Sequence, residues 1–306
     1  MRQKCHHYVK DVAFISNKEL GMPSGVFAQM PIPTFENGKF FIYFTSRNSS
    51  NQSKPMVAEV NLAELCVAKE ASPVPLDLGS PGNFDDDGIM PSSIIDTKMG
   101  KMMYYIGWNR AVSVPYRLSI GLALKTKDSH NFAKFSQGPI IDRSPSNPYF
   151  VTTPHVSFEN EKFEMLMSVG TNWISHEGRT ESIYSTMRAV SGDGIHWDQF
   201  EDINLGITEN PICIARPFGS DSHIYFSQRR IRNFREKNAG YRIRATRISD
   251  NLDKENCTFE WNSINDDRDR AYASLMKFNG KRYLFYNGEE FGRFGIHIAE
   301  ETIIME

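Results

Sequence analysis

Four prolines set a ruler along this chain. Pro31, Pro91, Pro154 and Pro217 stand 60, 63 and 63 residues apart, and Ala273 takes the corresponding place 56 residues further on. After each comes a short apolar run, a turn and a second run rich in aromatics. In the first copy Ile32 to Phe35 leads through Glu36-Asn37-Gly38-Lys39 to Phe40-Phe41-Ile42-Tyr43-Phe44. Polar turn residues with Asn-Gly between two such runs mark a β-hairpin. Third runs follow at Met56–Leu62, Tyr116–Leu124, Ser182–Val190 and Tyr241–Ile248. Self-similarity at a fixed period is the signature of a repeat architecture.

Four strands per copy, five copies and few helical windows predict an all-β fold, a five-bladed β-propeller of four-stranded antiparallel blades. The expected single domain spans 1–306, with blades near 28–75, 84–140, 150–203, 209–262 and 268–301. The last copy lacks a clear outer strand. The N-terminal segment, with Val12-Ala13-Phe14-Ile15, is expected to supply it and close the ring, leaving no open edge. An irregular β-sandwich competes, but five copies in one internal order speak against it.

Composition narrows the function classes. With 306 residues and 40% hydrophobic content the chain can bury a large core. A net charge of -2 points to no nucleic-acid partner. Cys5, Cys66, Cys213 and Cys257 show no C-x-x-C spacing and read as reduced intracellular thiols that form no disulfide. The N-terminus has no apolar signal region, and no run approaches the ~18 apolar residues of a membrane span. A cytoplasmic protein without membrane insertion is therefore expected. His6-His7 reads as a frayed polar terminus rather than a metal site. No His/Cys spacing suits zinc, and phosphate-loop and dinucleotide motifs are missing, so neither metal nor cofactor is expected.

In a propeller the first strand of each blade lines the central channel. Residues before it, and those after the second strand, gather at one mouth. The first set holds Gln29, Asp85-Asp86-Asp87, Thr152, Thr153, His155, Glu209, Arg216, Asp269, Arg270 and Tyr272. The second holds Arg47, Asn48, Trp108, Asn109, Asn172, Trp173, Arg229, Arg230, Asn287, Glu289 and Glu290. Paired carboxylates perform glycoside cleavage. Aromatic faces stack on sugars, and arginine forks grip phosphate or carboxylate. The run Asp85-Asp86-Asp87-Gly88 before the apolar Ile89–Ile95 reads as a loop carrying acids to the mouth of a buried strand. A solvated acidic turn is the plainer alternative. Arg47, Arg216 and Arg270 are the arginines expected to approach it from other blades.

One family resemblance joins these segments. The carrying residues are Ala28-Gln29-Met30-Pro31 with Tyr43-Phe44-Thr45-Ser46-Arg47, and Phe84-Asp85-Asp86-Asp87-Gly88-Ile89-Met90-Pro91-Ser92 with Tyr104-Tyr105-Ile106-Gly107-Trp108. Pro115-Tyr116, Gly121-Leu122-Ala123, Ser191-Gly192-Asp193-Gly194-Ile195-His196-Trp197 and Tyr286-Asn287-Gly288 complete the set. Together they resemble the five-bladed propeller glycosidases of glycoside hydrolase families 43, 32, 68 and 130. The resemblance is closer still to glycosidase-like proteins of bacterial surface-polysaccharide clusters.

The resemblance implies cleavage or transfer of a glycosidic bond in polysaccharide metabolism, on a small, anionic or activated sugar or a sugar nucleotide. Asp87 or Asp86 would be base or nucleophile and Glu209 the acid. Arg47, Arg117, Arg216 and Arg229 would recognise a charged group. Gln29, Trp108, His155, Trp173, Arg270, Tyr272 and Asn287 would complete the substrate site. The hydrolytic members place an essential Asp on the first blade, where this chain reads Gly25-Val26-Phe27-Ala28-Gln29. That departure keeps open a non-catalytic sugar-binding propeller, and a glycoside phosphorylase or transferase. The Ser191–Trp197 segment is expected to be an outer turn, with Asp193 and Gly194 capping it and Trp197 packing between blades.

Overall fold

The structure is a computed structural model and describes residues 5–207, 212–230, 234, 240–248, 254–261 and 268–305. Its ordered elements are strands, apart from one 3-10 turn at Glu289–Gly292. The chain starts with β1 (Cys5–Ser16). The first copy gives β2 (Gln29–Glu36), β3 (Lys39–Arg47), β4 (Ser53–Asn61) and β5 (Cys66–Pro73). The second gives β6 (Gly88–Thr97), β7 (Gly100–Arg110), β8 (Tyr116–Thr126) and β9 (Ala133–Lys134). The third gives β10 (Val151–Glu159), β11 (Lys162–His176), β12 (Arg179–Ser191) and β13 (Asp198–Asp202). The fourth gives β14 (Ile212–Ser220), β15 (His223–Arg230), β16 (Arg242–Ile248) and β17 (Lys254–Asn256). After β18 (Thr258–Trp261), the last copy supplies β19 (Ala271–Phe278), β20 (Lys281–Asn287) and β21 (Gly295–Met305).

Within each copy, successive strands pair antiparallel. A single parallel bridge, Ser53 to Gly88, joins the first and second groups into one sheet. The last group is completed from the other end of the chain. β1 runs antiparallel along β21, from Cys5 opposite Met305 to Ser16 opposite Gly295, and β18 adds in parallel on its far side. The N-terminal strand thus pairs with the last copy as expected, and over a longer stretch than Val12–Ile15.

The proline ruler has a backbone meaning. Every first strand breaks its ladder at the proline slot: between Gln29 and Ile32, Pro91 and Ser93, Thr152 and His155, Ala215 and Phe218, and Ala271 and Ser274. Proline has no N–H to give a ladder, and a bulge is where none is required. In four of the five the residue ahead of the slot is left-handed: Met30 at φ 57°, Thr153 at 47°, Arg216 at 48° and Tyr272 at 58°. Such residues cost ~1–3 kcal/mol each and cluster at functional sites. Here they re-aim side chains at the strand's entry end.

Arg216 shows what the bulges converge on. Its guanidinium donates to the Pro31 and Ser92 carbonyls at 3.3 and 3.5 Å and to the Ser274 hydroxyl, and its backbone N–H donates to Thr153 Oγ1 at 3.3 Å. One fourth-copy residue therefore touches all four other copies. Burial lowers its guanidinium to about 9. The hydrophobic clusters lie between neighbouring copies. Ile32, Tyr43, Ile89 and Tyr105 join the first and second; Met102, Tyr104, Val156 and Trp197 the second and third. Leu166, Leu205 and Phe226 join the third and fourth; Phe218, Ile243 and Leu284 the fourth and last. Ile42, Phe44, Phe285 and Ile298 join the last to the first. The Ser191–Trp197 turn is capped as expected. Ile195 and His196 N–H groups donate to Asp193 Oδ1, both at 2.8 Å, and Trp197 meets Tyr104 edge-on.

The N-terminus departs from expectation. His7 is fully buried, and Cys5, His223 and Cys257 are buried around it, with ligand-type atoms all within 4.8 Å of one another. The reading of a frayed terminus, and of no metal-type cluster, is corrected here. These four residues come from distant segments that meet where β1 pairs with β18 and packs against β15, so no local spacing could disclose them. No disulfide links the four cysteines. Among the described residues no helix is long and apolar enough to cross a membrane.

Candidate functional site

A cavity of about 510 Å³ opens where the first strands bulge, and Gln29, Met30, Met90, Thr152, Thr153, Ala215 and Tyr272 line its floor. Its walls come from further out: Arg47 and Asn51, Trp108 and Arg110, Tyr116 and Leu118, Glu181, Ser182 and Tyr184, Arg229 and Tyr241. The third copy contributes the overhanging wall because β11 and β12 form a hairpin much longer than its counterparts, turning at Glu177-Gly178.

Arg229 is the electrostatic centre of this wall. It is only 3% exposed, yet no ion pair among the described residues involves it. Its Nε donates to Tyr184 and Tyr241 hydroxyls at 3.1 and 3.2 Å, and Nη2 donates to the Ser182 carbonyl at 2.8 Å. The guanidinium lies 3.8 Å over the Phe234 ring, and the Tyr184 and Tyr241 hydroxyls are themselves hydrogen-bonded. Burial opposes its charge, but the Tyr184 and Tyr241 phenols and the Cys213 thiol carry its pKa above the ordinary value. Burial keeps Tyr184 and Tyr272 well above the ordinary phenol, hence neutral. The result is a fixed cation in an aromatic cage.

A second arginine faces the same space. Arg47 lies 5.8 and 5.7 Å from the Phe27 and Trp108 rings and donates to Asn51 Oδ1 at 3.0 Å. Burial lowers its guanidinium, with the Tyr272 phenol opposing. Around it Gln29 Oε1, Arg47 Nε and Trp108 Nε1 are buried with no hydrogen-bond partner. Such groups are costly to leave unmade. Gln29, Arg47, Trp108, Arg229 and Tyr272, all expected at the site, therefore meet at one cavity.

The acid run divides three ways instead of facing inward. Asp85 is fully buried, 2.6 Å from Lys134 Nζ, and accepts from the Tyr105 hydroxyl at 3.0 Å. Asp86 Oδ2 turns back to the Gly82 N–H at 2.7 Å. Asp87 accepts from the Arg110 backbone N–H at 2.8 Å and pairs with its guanidinium at 3.1 Å. None of the three lines the cavity. Their basic partners come from their own copy, where Arg47, Arg216 and Arg270 had been expected. Asp87 reaches the site only through Arg110, which does line it. Glu209 lies outside the described residues.

Other expected contacts fall away for local reasons. Arg117 is exposed because strand alternation turns Tyr116 and Leu118 to the cavity and Arg117 to the opposite face. Asn287 is fully buried and clamps the first copy, accepting from Met30 N–H and donating to the Ala28 carbonyl, both at 2.8 Å. Arg270 stacks 4.1 Å over Trp261, and Arg216 fills the hub beneath the cavity floor. His155 packs against Phe218, where burial and then the Arg216 charge push its imidazole down to about 4. Trp173 backs the wall, edge-on to Tyr116 and Phe150.

No model of a protein family matches the chain. Uncharacterized protein Rv1502 of Mycobacterium tuberculosis is 27% identical over 289 residues, 89% of this chain and 91% of its own. A thermostable family-43 glycoside hydrolase superposes with a TM-score of 0.63 at 14% identity, over 93% of this chain and 94% of that one. The fold is of the β-propeller type seen in that hydrolase. The family-32 β-fructofuranosidase BmSUC1 of Bombyx mori agrees, with a TM-score of 0.59 at 15% identity, over 98% of this chain and 62% of its own. Sequence reasoning missed Glu181 and Tyr184, which line the cavity from the third strand β12, and Tyr241, which lines it from just ahead of β16. The one available signal was the strand-like run on each side of the tight Glu177-Gly178 turn, reaching from Phe163 to Val190 with no longer loop between.

Proposed function

We propose that this chain is a glycosidase-like propeller of five blades, closed by β1, whose cavity binds a small anionic sugar. The observation that carries the reading is Arg229: a buried cation that faces the cavity among phenols rather than carboxylates. A buried charge without a counter-ion is costly, and an incoming carboxylate or phosphate would relieve that cost. Trp108, Tyr116 and Phe150 supply faces for a sugar ring, and Gln29 Oε1 supplies an acceptor for a hydroxyl. A uronate, a sugar phosphate or a sugar nucleotide of polysaccharide metabolism fits, in a cytoplasmic setting.

In the enzymatic form of this reading, Asp87, which reaches the cavity through Arg110, would be the base and Glu209 the acid. A binding protein without turnover is the second reading. It is favoured by one observation: among the described residues Glu181 is the only carboxylate that lines the cavity.

Calorimetry with glucuronate, glucose 1-phosphate and UDP-glucose against neutral glucose tests the binding. The anionic ligands should bind, and Arg229→Met should weaken them by about tenfold or more. Equal affinity for charged and neutral sugars would refute the reading. Nitrophenyl glycosides and nucleotide sugars, with and without phosphate, then separate turnover from binding when wild type is compared with Asp87→Asn and Glu181→Gln.

A further inference from the structure

We propose that Cys5, His7, His223 and Cys257 form a structural zinc site that ties the N-terminal strand to the fourth copy. All four residues are buried, and their ligand atoms lie within 4.8 Å of one another. Cys5 Sγ is 3.4 Å from His7 Nε2 and 3.2 Å from His223 Nε2. A tetrahedral zinc with bonds of ~2.0–2.3 Å has ligand-to-ligand edges of ~3.3–3.8 Å, so the donors stand close to that spacing already.

The surroundings prepare His7 as a ligand. Its Nδ1 lies 2.7 Å from Glu301 Oε1, which leaves Nε2 directed at Cys5 Sγ. Glu301 is held in turn by the Tyr225 hydroxyl at 2.9 Å and by Arg282 Nε at 2.9 Å. A carboxylate behind a histidine fixes its tautomer and ring orientation, an arrangement characteristic of metal-bound histidines. The His7 ring also stacks on Phe259 at 4.5 Å, which prevents it from rotating away.

Donor chemistry selects the ion. Two sulfurs and two imidazoles in a tetrahedral set suit zinc, and four protein ligands leave no open position for a substrate. Two thiolates cancel the charge of a dication, so the filled site is neutral and its burial costs little. None of the four residues lines the cavity, so the site is distinct from the sugar pocket. Its location gives the role. Cys5 and His7 belong to β1, His223 opens β15, and Cys257 sits between β17 and β18. One ion would pin the chain's beginning across two neighbouring sheets.

The test is metal content of the full-length protein after exhaustive dialysis against zinc and then buffer. About one zinc per chain is expected in wild type, Cys66→Ser and Cys213→Ser, falling below ~0.2 in Cys5→Ser and Cys257→Ser. Cobalt(II) substitution of wild type reads the same site without any variant. Thiolate-to-cobalt charge transfer with intense tetrahedral d–d bands supports the proposal. A wild-type protein that retains no metal, a cobalt spectrum without thiolate bands, a Cys5–Cys257 disulfide, or undiminished zinc in both site variants overturns it.

Discussion

A methyl group on Gly88 would stand 1.8 Å from the Trp108 indole Nε1. The glycine of the acidic run is there to seat the tryptophan that walls the cavity, with Ser53 of the neighbouring copy on its other side. Gly88→Ala should therefore destabilise the fold by ~1–3 kcal/mol through overpacking, read from urea unfolding, and shift the tryptophan emission. An unchanged midpoint and spectrum would show that Trp108 can move without cost.

Arg229→Lys should behave as a loss rather than a conservative change. The guanidinium stacks flat on Phe234 while its edge serves two phenols and a carbonyl, and an ammonium cannot do both. Affinity for an anionic sugar should fall about tenfold or more while the unfolding midpoint moves little. Retained affinity in the lysine variant would mean that charge alone suffices.

Asn287→Ala should cost ~2–4 kcal/mol without a direct effect on ligand chemistry. The amide satisfies Met30 N–H and the Ala28 carbonyl from full burial, and its removal leaves both without their partner. Chemical denaturation measures the cost. Stability within ~0.5 kcal/mol of wild type would contradict the clamp.

Acid should weaken the fold through His155. Its imidazole is pushed from 6.5 to about 4, so between those values the unfolded chain binds the proton and the folded chain does not. Stability is then fully present above 6.5, falls as pH drops through the window and levels off below 4, with a slope of at most ~1.4 kcal/mol per pH unit. Urea midpoints at neutral pH and near pH 5 should diverge more in wild type than in His155→Gln. Parallel losses in both proteins would remove His155 from the account.

The repeat was legible because proline and its bulge are local backbone chemistry, readable from Pro31, Pro91, Pro154 and Pro217 alone. Residues flanking those bulges, such as Gln29 and Tyr272, followed directly. Glu181 and Tyr241 did not, since a strand's period gives a side chain's face but not how far a hairpin leans over its neighbours. The acid run misled for a related reason. Adjacent like charges relieve their repulsion by parting, and Asp85, Asp86 and Asp87 go to Lys134, Gly82 and Arg110 respectively. The Cys5, His7, His223 and Cys257 cluster was invisible because the pairing of β1 with the distant β18, against β15, assembles it.

The pairing of β1 also orders events in time. A ribosome releases β1 well before its partner β21, whose Met305 lies opposite Cys5. The intervening copies can assemble as they emerge, each hairpin needing only recent neighbours, but β1 waits as an unsatisfied edge until β18 and β21 emerge to flank it. Its charged, polar stretch of Lys10 and Asp11 and its histidine pair are suited to that wait, keeping the segment wet until the final strand arrives. The docking of β1 is thus set by the emergence of β18 and β21, and a chain stalled ahead of them would carry that strand without either partner.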